Sequence, residues 1–226
     1  MTKYRSIAID GPSGAGKSTL AKALARELGF LYVDTGAIYR TVGLKARRAG
    51  VDPSDPEQVA PLLEGLDIGM SYGSDGLQHM YLEGEDVTDA IREHEISRYA
   101  SCVSAIPAVR AFLLDRQRQL AEEHDVVMDG RDIGTVVLPG ADVKLFLTAA
   151  PEDRARRRYE ELLQRGQQAD YETVLRDVKE RDAQDSGRAA APLRRAEDAL
   201  LVDTTGNTLE ESAALLLKTV KERLRG

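Results

Sequence analysis

Ser6-Ile-Ala-Ile-Asp10 runs directly into Gly11-Pro-Ser-Gly-Ala-Gly-Lys-Ser18 near the start of the chain. The apolar residues that end at Ile9 predict a short buried strand, and the Asp-Gly-Pro sequence after it predicts a tight loop. Residues 18–28 then repeat leucine and alanine at helical spacing, and Gly29 stands where a helix C-terminal cap is expected. A strand, a glycine-rich loop and a helix in this order predict a phosphate-binding corner of an α/β protein.

The loop matches the P-loop pattern of glycine, four residues, glycine, lysine and serine or threonine at every position. Its glycines let the backbone curl around a phosphate, and the positive end of the following helix adds to the attraction. Lys17 can bring its charge to the β- and γ-phosphates, and the Ser18 hydroxyl can ligate Mg²⁺. An ordinary glycine-rich turn is the alternative, but the strand and helix beside the loop argue against it. The residues predicted to bind ATP are Gly11, Pro12, Ser13, Gly14, Ala15, Gly16, Lys17, Ser18 and Thr19.

The rest of the chain continues the alternation of strands and helices. Apolar runs predict strands at 30–33, 125–128, 143–147 and 199–202 and helices at 37–49 and 209–224. Five buried strands interleaved with helices indicate an α/β, three-layer P-loop fold with a five-stranded parallel sheet. Glycines and short alternating runs between Leu66 and Thr88 predict antiparallel hairpins instead. We therefore expect one kinase-like domain over residues 1–226 with a small insert at about 60–100.

Composition limits the partners and the location. The formal net charge is -7, so no long-range positive field gathers nucleic acid or an anionic membrane. Cys102 is the single cysteine, which excludes an intramolecular disulfide, and no apolar run reaches the ~18 residues of a membrane span. We expect a cytoplasmic monomer whose partners are small molecules, with no nucleic acid and no membrane among them.

Arginines group with carboxylates in four other places. Asp129 follows the third predicted strand, where P-loop enzymes commonly place a carboxylate that holds Mg²⁺ through water. Arg40 lies about one turn inside the second predicted helix, and an arginine lid is predicted at about 152–170, where three arginines share one helical face. The lid group contains Arg154, Arg157 and Arg158. The fourth group lies near Pro192 and contains Arg181, Asp182, Asp185 and Arg188.

Each of these groups alone could be an ordinary solvated ion-pair face. Together with a P-loop they favour a kinase of a small anionic acceptor, because phosphoryl transfer depends mainly on positioned positive charge. A GTPase would need an Asn-Lys-x-Asp segment, which the sequence lacks. A kinase of another small acceptor and a non-catalytic nucleotide-binding module remain the alternatives from the residues alone.

Several separate segments make the chain resemble the bacterial-type cytidylate kinases of the nucleoside monophosphate kinase family, over nearly its whole length. They are Gly11–Thr19, Asp34-Thr-Gly-Ala-Ile-Tyr-Arg40, Asp86-Val-Thr-Asp-Ala-Ile-Arg92, Asp129-Gly-Arg-Asp-Ile-Gly-Thr135, and Arg181-Asp-x-x-Asp-x-x-Arg188 with Ala191-Pro-Leu193. The resemblance implies a transfer from ATP to CMP or dCMP, with Mg²⁺ as the bridging ion. It also implies a core, a monophosphate-binding insert and a short helical lid rich in arginine.

The resemblance also assigns residues to the acceptor nucleotide. By it, the acceptor contacts Thr35, Arg40, Ser101, Arg110, Arg131, Asp132, Arg181, Asp185 and Arg188. Asp132 can accept a hydrogen bond from the exocyclic amine of cytosine, whereas uracil would set a carbonyl against this carboxylate. The guanidiniums of Arg40, Arg131 and Arg181 suit the α-phosphate. Asp185 and Arg188 would address the sugar hydroxyls.

The residue patterns and the resemblance together give the remaining roles. The residues expected to act on the transferring group are Lys17, Arg131, Asp132, Arg154, Arg157 and Arg158. The residues expected at Mg²⁺ are Ser18 and Asp129. Which of the lid arginines touches the transferring phosphate is left open at this point.

Overall fold

Eight strands form two sheets in the computed structural model, which describes residues 4–73, 76–164 and 166–225. The strands are β1 (Ser6–Asp10), β2 (Leu31–Asp34), β3 (Ile68–Tyr72), β4 (Gln78–Leu82), β5 (Glu85–Asp86), β6 (Val126–Gly130), β7 (Val143–Thr148) and β8 (Leu200–Asp203). The larger sheet is parallel and has the strand order β2-β6-β1-β7-β8. This confirms the predicted α/β fold with its five-stranded parallel sheet.

Helices follow most of the strands. They are α1 (Lys17–Leu28), α2 (Thr35–Ala49), α3 (Pro56–Val59), α4 (His94–Val103), α5 (Pro107–Glu123), α6 (Pro151–Gln164), α7 (Tyr171–Ser186) and α8 (Leu209–Arg225). Short 3-10 turns cover Ala60–Leu63 and Ala90–Arg92, and one π-helical turn covers Ile133–Val137. Across the described part of the chain, every helix is too short or too polar to cross a membrane.

The chain divides into two compact units, and one boundary falls within strand β6, after its first residue, Val126. The first unit comprises Met1–Tyr4 and Leu31–Val126, and the second comprises Arg5–Phe30 and Val127–Gly226. The single domain with an insert at about 60–100 stays a prediction.

In the second unit, strand β1 is buried along its whole length, as its continuous apolar run predicts for a central parallel strand. It pairs with β7 in parallel register, with Ile7 opposite Val143 and Ile9 opposite Leu145. The polar residues that end these strands are thereby brought to one edge of the sheet. Ligands of open α/β sheets bind at this edge.

The first unit contains the predicted antiparallel hairpins. Strands β3 and β4 pair with Ile68 opposite Leu82, and β4 pairs with β5 with Leu82 opposite Glu85. Glu83 and Gly84 connect β4 to β5, and both have positive φ, at 53° and 84°, as a two-residue type I′ turn requires. The buried side of this small sheet joins helices α2, α4 and α5 in one apolar core.

Helix α2 begins earlier than the sequence pattern predicts. The apolar pattern predicts that the helix begins at Ala37, whereas it begins at Thr35. The cause is Asp34, whose carboxylate accepts a hydrogen bond from the Ala37 N–H at 2.9 Å and so caps the first turn. The predicted C-terminal cap is confirmed, since Gly50 adopts the left-handed conformation and its N–H bonds back to the last turn.

Candidate active site

The predicted P-loop connects β1 to α1 in the second unit. Gly11, Gly14 and Gly16 all have positive φ, at 149°, 75° and 82°, which other residues rarely adopt. Gly11 also faces β7 so closely that a β-carbon there would lie 2.0 Å from the Leu147 carbonyl oxygen. The loop conformation therefore depends on glycine at these positions.

The Lys17 side chain lies within this loop and is only 6% exposed. Its Nζ donates a hydrogen bond to the Pro12 carbonyl oxygen at 2.7 Å. Burial lowers the pKa of Lys17 well below 10.5, and the nearby positive charges of Arg131 and Arg181 lower it further, against the opposing effect of Asp129. Arg131 and Arg181 are only half-buried, but their positive charges repel the buried ammonium of Lys17, so an anion bound near these residues would be stabilised.

The two residues predicted at Mg²⁺ lie together. The Ser18 hydroxyl donates a hydrogen bond to Asp129 Oδ2 at 3.1 Å, and Asp129 is buried at the end of β6. Oxygen donors of this kind suit Mg²⁺, which usually takes one or two protein ligands beside water and phosphate oxygens. The pair fits that ion. No cluster of three or more His, Cys, Asp or Glu side chains suited to a metal occurs within the described ranges.

A second buried group joins the end of β6 to helix α7. The Asp185 carboxylate, only 1% exposed, accepts a hydrogen bond from Arg131 Nε at 2.8 Å and pairs with Arg188 through its other oxygen. Arg181 lies one turn earlier on the same helix, and Asp132 is buried directly after Arg131. Five residues predicted to bind the acceptor therefore belong to the second unit, on helix α7 or directly after β6 and α7.

Asp10 is a buried carboxylate that the sequence reasoning missed. It ends β1 directly before the P-loop, and its oxygens accept the N–H groups of Ile133 and Gly134 at 2.7 and 2.8 Å. Burial raises the pKa of Asp10 to about 6, and the negative charge of Asp132 adds to this effect, whereas the two N–H donors and Lys17 oppose it. The only signal in the sequence was a carboxylate at the end of a buried strand.

This pKa predicts a pH dependence of stability. Because the folded-state pKa of Asp10 lies above its ordinary value of 3.8, its favourable contribution is complete below about pH 4 and is lost as the pH rises through about 6. The difference between the two values corresponds to about 3 kcal/mol in the free energy of unfolding. Measured by urea unfolding from pH 4 to 7, the natural chain should lose about this much stability relative to an Asp10→Asn chain. Identical pH profiles for the two chains would contradict the assignment.

The three lid arginines on helix α6 have different surroundings. Arg154 is only 2% exposed and forms a bidentate pair with Asp182 of α7, at 3.0 and 2.5 Å. It also donates to the carbonyl oxygens of Ala149 and Ser13, at 2.9 and 3.0 Å.

The other two arginines predicted for the lid are half-buried. Arg157 donates to the Thr204 carbonyl oxygen at 2.9 Å, and its Nη1 lies 3.9 Å from where a β-carbon on Gly16 would be. Arg158 pairs with Glu161 on its own helix at 2.9 Å. Arg154 and Arg157 both lie beside the P-loop, but the Arg154 guanidinium is taken up by Asp182 and two carbonyl oxygens, whereas Arg157 has one carbonyl partner among the described residues.

The remaining predicted acceptor residues belong to the first unit. Arg40 pairs with Asp34 at 3.1 Å, and Thr35, buried, begins the same helix. The Arg110 guanidinium lies over the Tyr39 ring, 5.6 Å from its centroid, and donates to the Ser104 carbonyl oxygen at 3.1 Å. Tyr39, which no motif assigned, thus helps to orient Arg110.

Ser101 is positioned by close helix packing in the first unit. A β-carbon on Gly43 of α2 would lie 2.9 Å from the Ala100 backbone nitrogen and 3.1 Å from Tyr99 Cβ. The missing side chain lets α2 and α4 approach closely directly before Ser101. This contact is not visible in the sequence pattern, because a glycine inside a helical pattern is also tolerated without any packing role.

A complete P-loop, a strand-end carboxylate beside its serine and a buried arginine group define the class of the protein as a P-loop phosphotransferase. Known proteins agree with this class. The family model for cytidylate kinase matches residues 7–222, and the chain belongs to the cytidylate kinase family.

Individual relatives cover almost the entire chain. It is 50% identical over 209 residues to the cytidylate kinase of Caldicellulosiruptor bescii, which covers 92% of both chains. It is 48% identical over 225 residues to the cytidylate kinase of Bacillus subtilis, which covers 100% of both. A solved structure of an uncharacterized protein from Eubacterium ventriosum shares the fold, with a TM-score of 0.54 at 14% identity over 97% of this chain and 99% of that one.

Proposed function

We propose that the chain transfers the γ-phosphoryl group of ATP to CMP or dCMP, giving ADP and CDP or dCDP. The observation that carries this proposal is the buried Lys17 of the P-loop, on which the positive charges of the half-buried Arg131 and Arg181 act. Lys17 belongs to the loop for the donor phosphates, and the two arginines belong to the segments predicted for the acceptor phosphate. A site with positive charge for two phosphates is what transfer between nucleotides needs.

The P-loop residues hold the donor. The glycine-rich backbone surrounds the β- and γ-phosphates at the start of α1, and the Lys17 ammonium neutralises their charge. Because Lys17 is buried, its charge is poorly screened and acts strongly on a nearby phosphate. Arg157, which borders Gly16, is the lid arginine best placed to stabilise the charge that spreads over the transferring group.

Ser18 and Asp129 would hold Mg²⁺ beside this loop. The ion supplies neutralisation of charge on the β- and γ-oxygens when it is bound. In this chain, the Ser18 hydroxyl offers a direct oxygen ligand, and the Asp129 carboxylate orients that hydroxyl through their hydrogen bond. Asp129 also offsets the positive charge of Lys17.

The acceptor is bound by the group around Asp185. Arg131 and Arg181 hold its phosphate, and the Asp132 carboxylate accepts a hydrogen bond from the amine of cytosine. Each oxygen of Asp185 already pairs with one arginine, and each can accept a further bond, so the sugar hydroxyls can still be bound there. In the first unit, Thr35, Arg40, Ser101 and Arg110 stay predicted contacts of the same nucleotide.

A panel of acceptors tests the proposed function. With ATP and Mg²⁺, coupled release of ADP should be fastest with CMP and dCMP, because Asp132 pairs with the cytosine amine and lacks a donor in UMP. The control is ATP turnover without any acceptor. Equal or better turnover of AMP, GMP or shikimate would make the chain a kinase of another acceptor. ATP binding without turnover of any acceptor would make it a nucleotide-binding module.

Location and assembly stay predictions from the sequence. The single thiol of Cys102 is consistent with a reducing cytoplasm, and the net charge of -7 argues against nucleic acid and anionic membranes as partners. We propose that it acts there as a monomer on small-molecule nucleotides.

A further inference from the structure

Asp10 has no place in the P-loop motif, which begins one residue later. Its side chain is only 4% exposed and reaches the turn that follows β6, 123 residues further along the chain. There it accepts the N–H groups of Ile133 and Gly134, the two residues directly after Asp132. One carboxylate thus links the start of the donor loop to the turn that carries the base-reading residue.

The turn is fixed from its other side by Asp132 itself. The Asp132 carbonyl oxygen accepts the N–H groups of Val136 and Val137 at 2.8 and 3.2 Å, which closes the π-helical turn. The backbone of Asp132 is therefore held between two hydrogen-bonded groups. Of the two, only the Asp10 contact comes from outside the turn.

The chemistry of the contact calls for an ionised carboxylate. Two backbone donors point at one side chain, and a carboxylate can accept both. An asparagine of the same size would accept one and set its own N–H₂ group against the other. Burial of this charge beside Asp132 is unfavourable, and the two N–H donors offset part of that cost.

We propose that Asp10 is a positioning residue that sets the place of the Asp132 carboxylate and thereby the selectivity for cytosine over uracil. This inference rests on the proposed function of the chain. Asp10 acts through the Ile133 and Gly134 backbone and does not touch the acceptor. Replacing Asp10 should therefore raise the KM for the acceptor and change the KM for ATP much less.

The test compares Asp10→Asn with a matched control. Asp10→Asn should raise the KM for CMP about tenfold or more and reduce the CMP to UMP ratio of kcat/KM by a similar factor, while the KM for ATP changes less than about threefold. The control is Asp142→Asn, since Asp142 accepts the Ser6 N–H at 2.8 Å at the opposite end of the same strand. That variant should leave both KM values and the ratio unchanged.

A double variant separates positioning from a general loss of structure. Asp132→Ala alone should raise the KM for CMP, and adding Asp10→Asn should raise it little further, since the residue that Asp10 positions is already absent. If Asp10→Asn does not fold, Gly134→Ala perturbs the same contact, because its β-carbon would lie 3.3 Å from Asp10 Oδ2 and 3.2 Å from the flexible Lys144 side chain. This variant should raise the KM for CMP and leave the KM for ATP nearly unchanged.

The outcomes distinguish this inference from the proposed function. If the natural chain does not prefer CMP over the other acceptors, the proposed function fails. If it prefers CMP and the Asp10→Asn chain keeps the same CMP to UMP ratio, the positioning role alone is wrong. Parallel increases in the KM values for CMP and ATP would likewise reduce Asp10 to a structural residue.

Discussion

Replacing Lys17 with methionine should lower kcat by about a thousandfold or more. The donor phosphates would lose the one ammonium that the P-loop provides, and the transferring group would lose its stabilisation. The same change should leave the fold intact or make it more stable, because it removes a buried charge whose pKa is lowered by burial and by Arg131 and Arg181. Steady-state kinetics and urea unfolding of the same preparation check both parts.

Lys22→Met is the matched control for this prediction, since Lys22 lies on the same helix outside the P-loop. That variant should keep kcat within about threefold of the natural chain. A Lys17→Met chain that retains more than a tenth of the natural kcat would remove Lys17 from the chemistry. A chain that loses activity only because it unfolds would show Lys17 to be structural.

Gly11→Ala should abolish nucleotide binding and reduce the free energy of unfolding by about 4 kcal/mol or more. The added β-carbon would meet the Leu147 carbonyl oxygen at 2.0 Å and its carbonyl carbon at 3.0 Å. Both atoms belong to the backbone of a buried strand, which has no flexible side chain to move aside. The loop would have to leave its position at the end of β1, and the phosphate site would go with it.

Gly29→Ala separates this clash from backbone strain. Gly29 also has positive φ, at 70°, but no atom lies within 4 Å of where its β-carbon would be. Its replacement should destabilise the protein by only about 1–2 kcal/mol and leave ATP binding intact. Urea unfolding and a nucleotide titration of both variants provide the comparison. Equal losses in the two variants would mean that the approach of Gly11 to β7 is unimportant.

The parts of the site that the sequence predicts are those built from neighbouring residues or from strand ends. The P-loop is a continuous motif, and Ser18 meets Asp129 because carboxyl ends of parallel strands share one edge. The fold class is likewise predictable, because each buried strand is a continuous apolar run in the sequence. The predicted roles of Asp132 and Arg188 at the acceptor come from the family resemblance and not from periodicity.

Contacts between distant segments were beyond the sequence pattern. Helical spacing puts Arg154, Arg157 and Arg158 on one face, but it does not reveal that the first is paired with Asp182. The N–H partners of Asp10 lie 123 residues away and leave no periodic trace. The early start of α2 is a milder case, since an aspartate before a helix is a familiar cap and Asp34 is visible in the sequence.

The surroundings of Arg154 constrain how this chain can vary during evolution. A lineage that loses Asp182 would leave a guanidinium buried without its carboxylate, at a free-energy cost of about 3–5 kcal/mol. Loss of Arg154 first would remove the donor that holds the Ser13 carbonyl. Neither single substitution is neutral, so residues 154 and 182 should change together or not at all. Because Arg154 also holds the Ser13 carbonyl, this constraint extends to the P-loop.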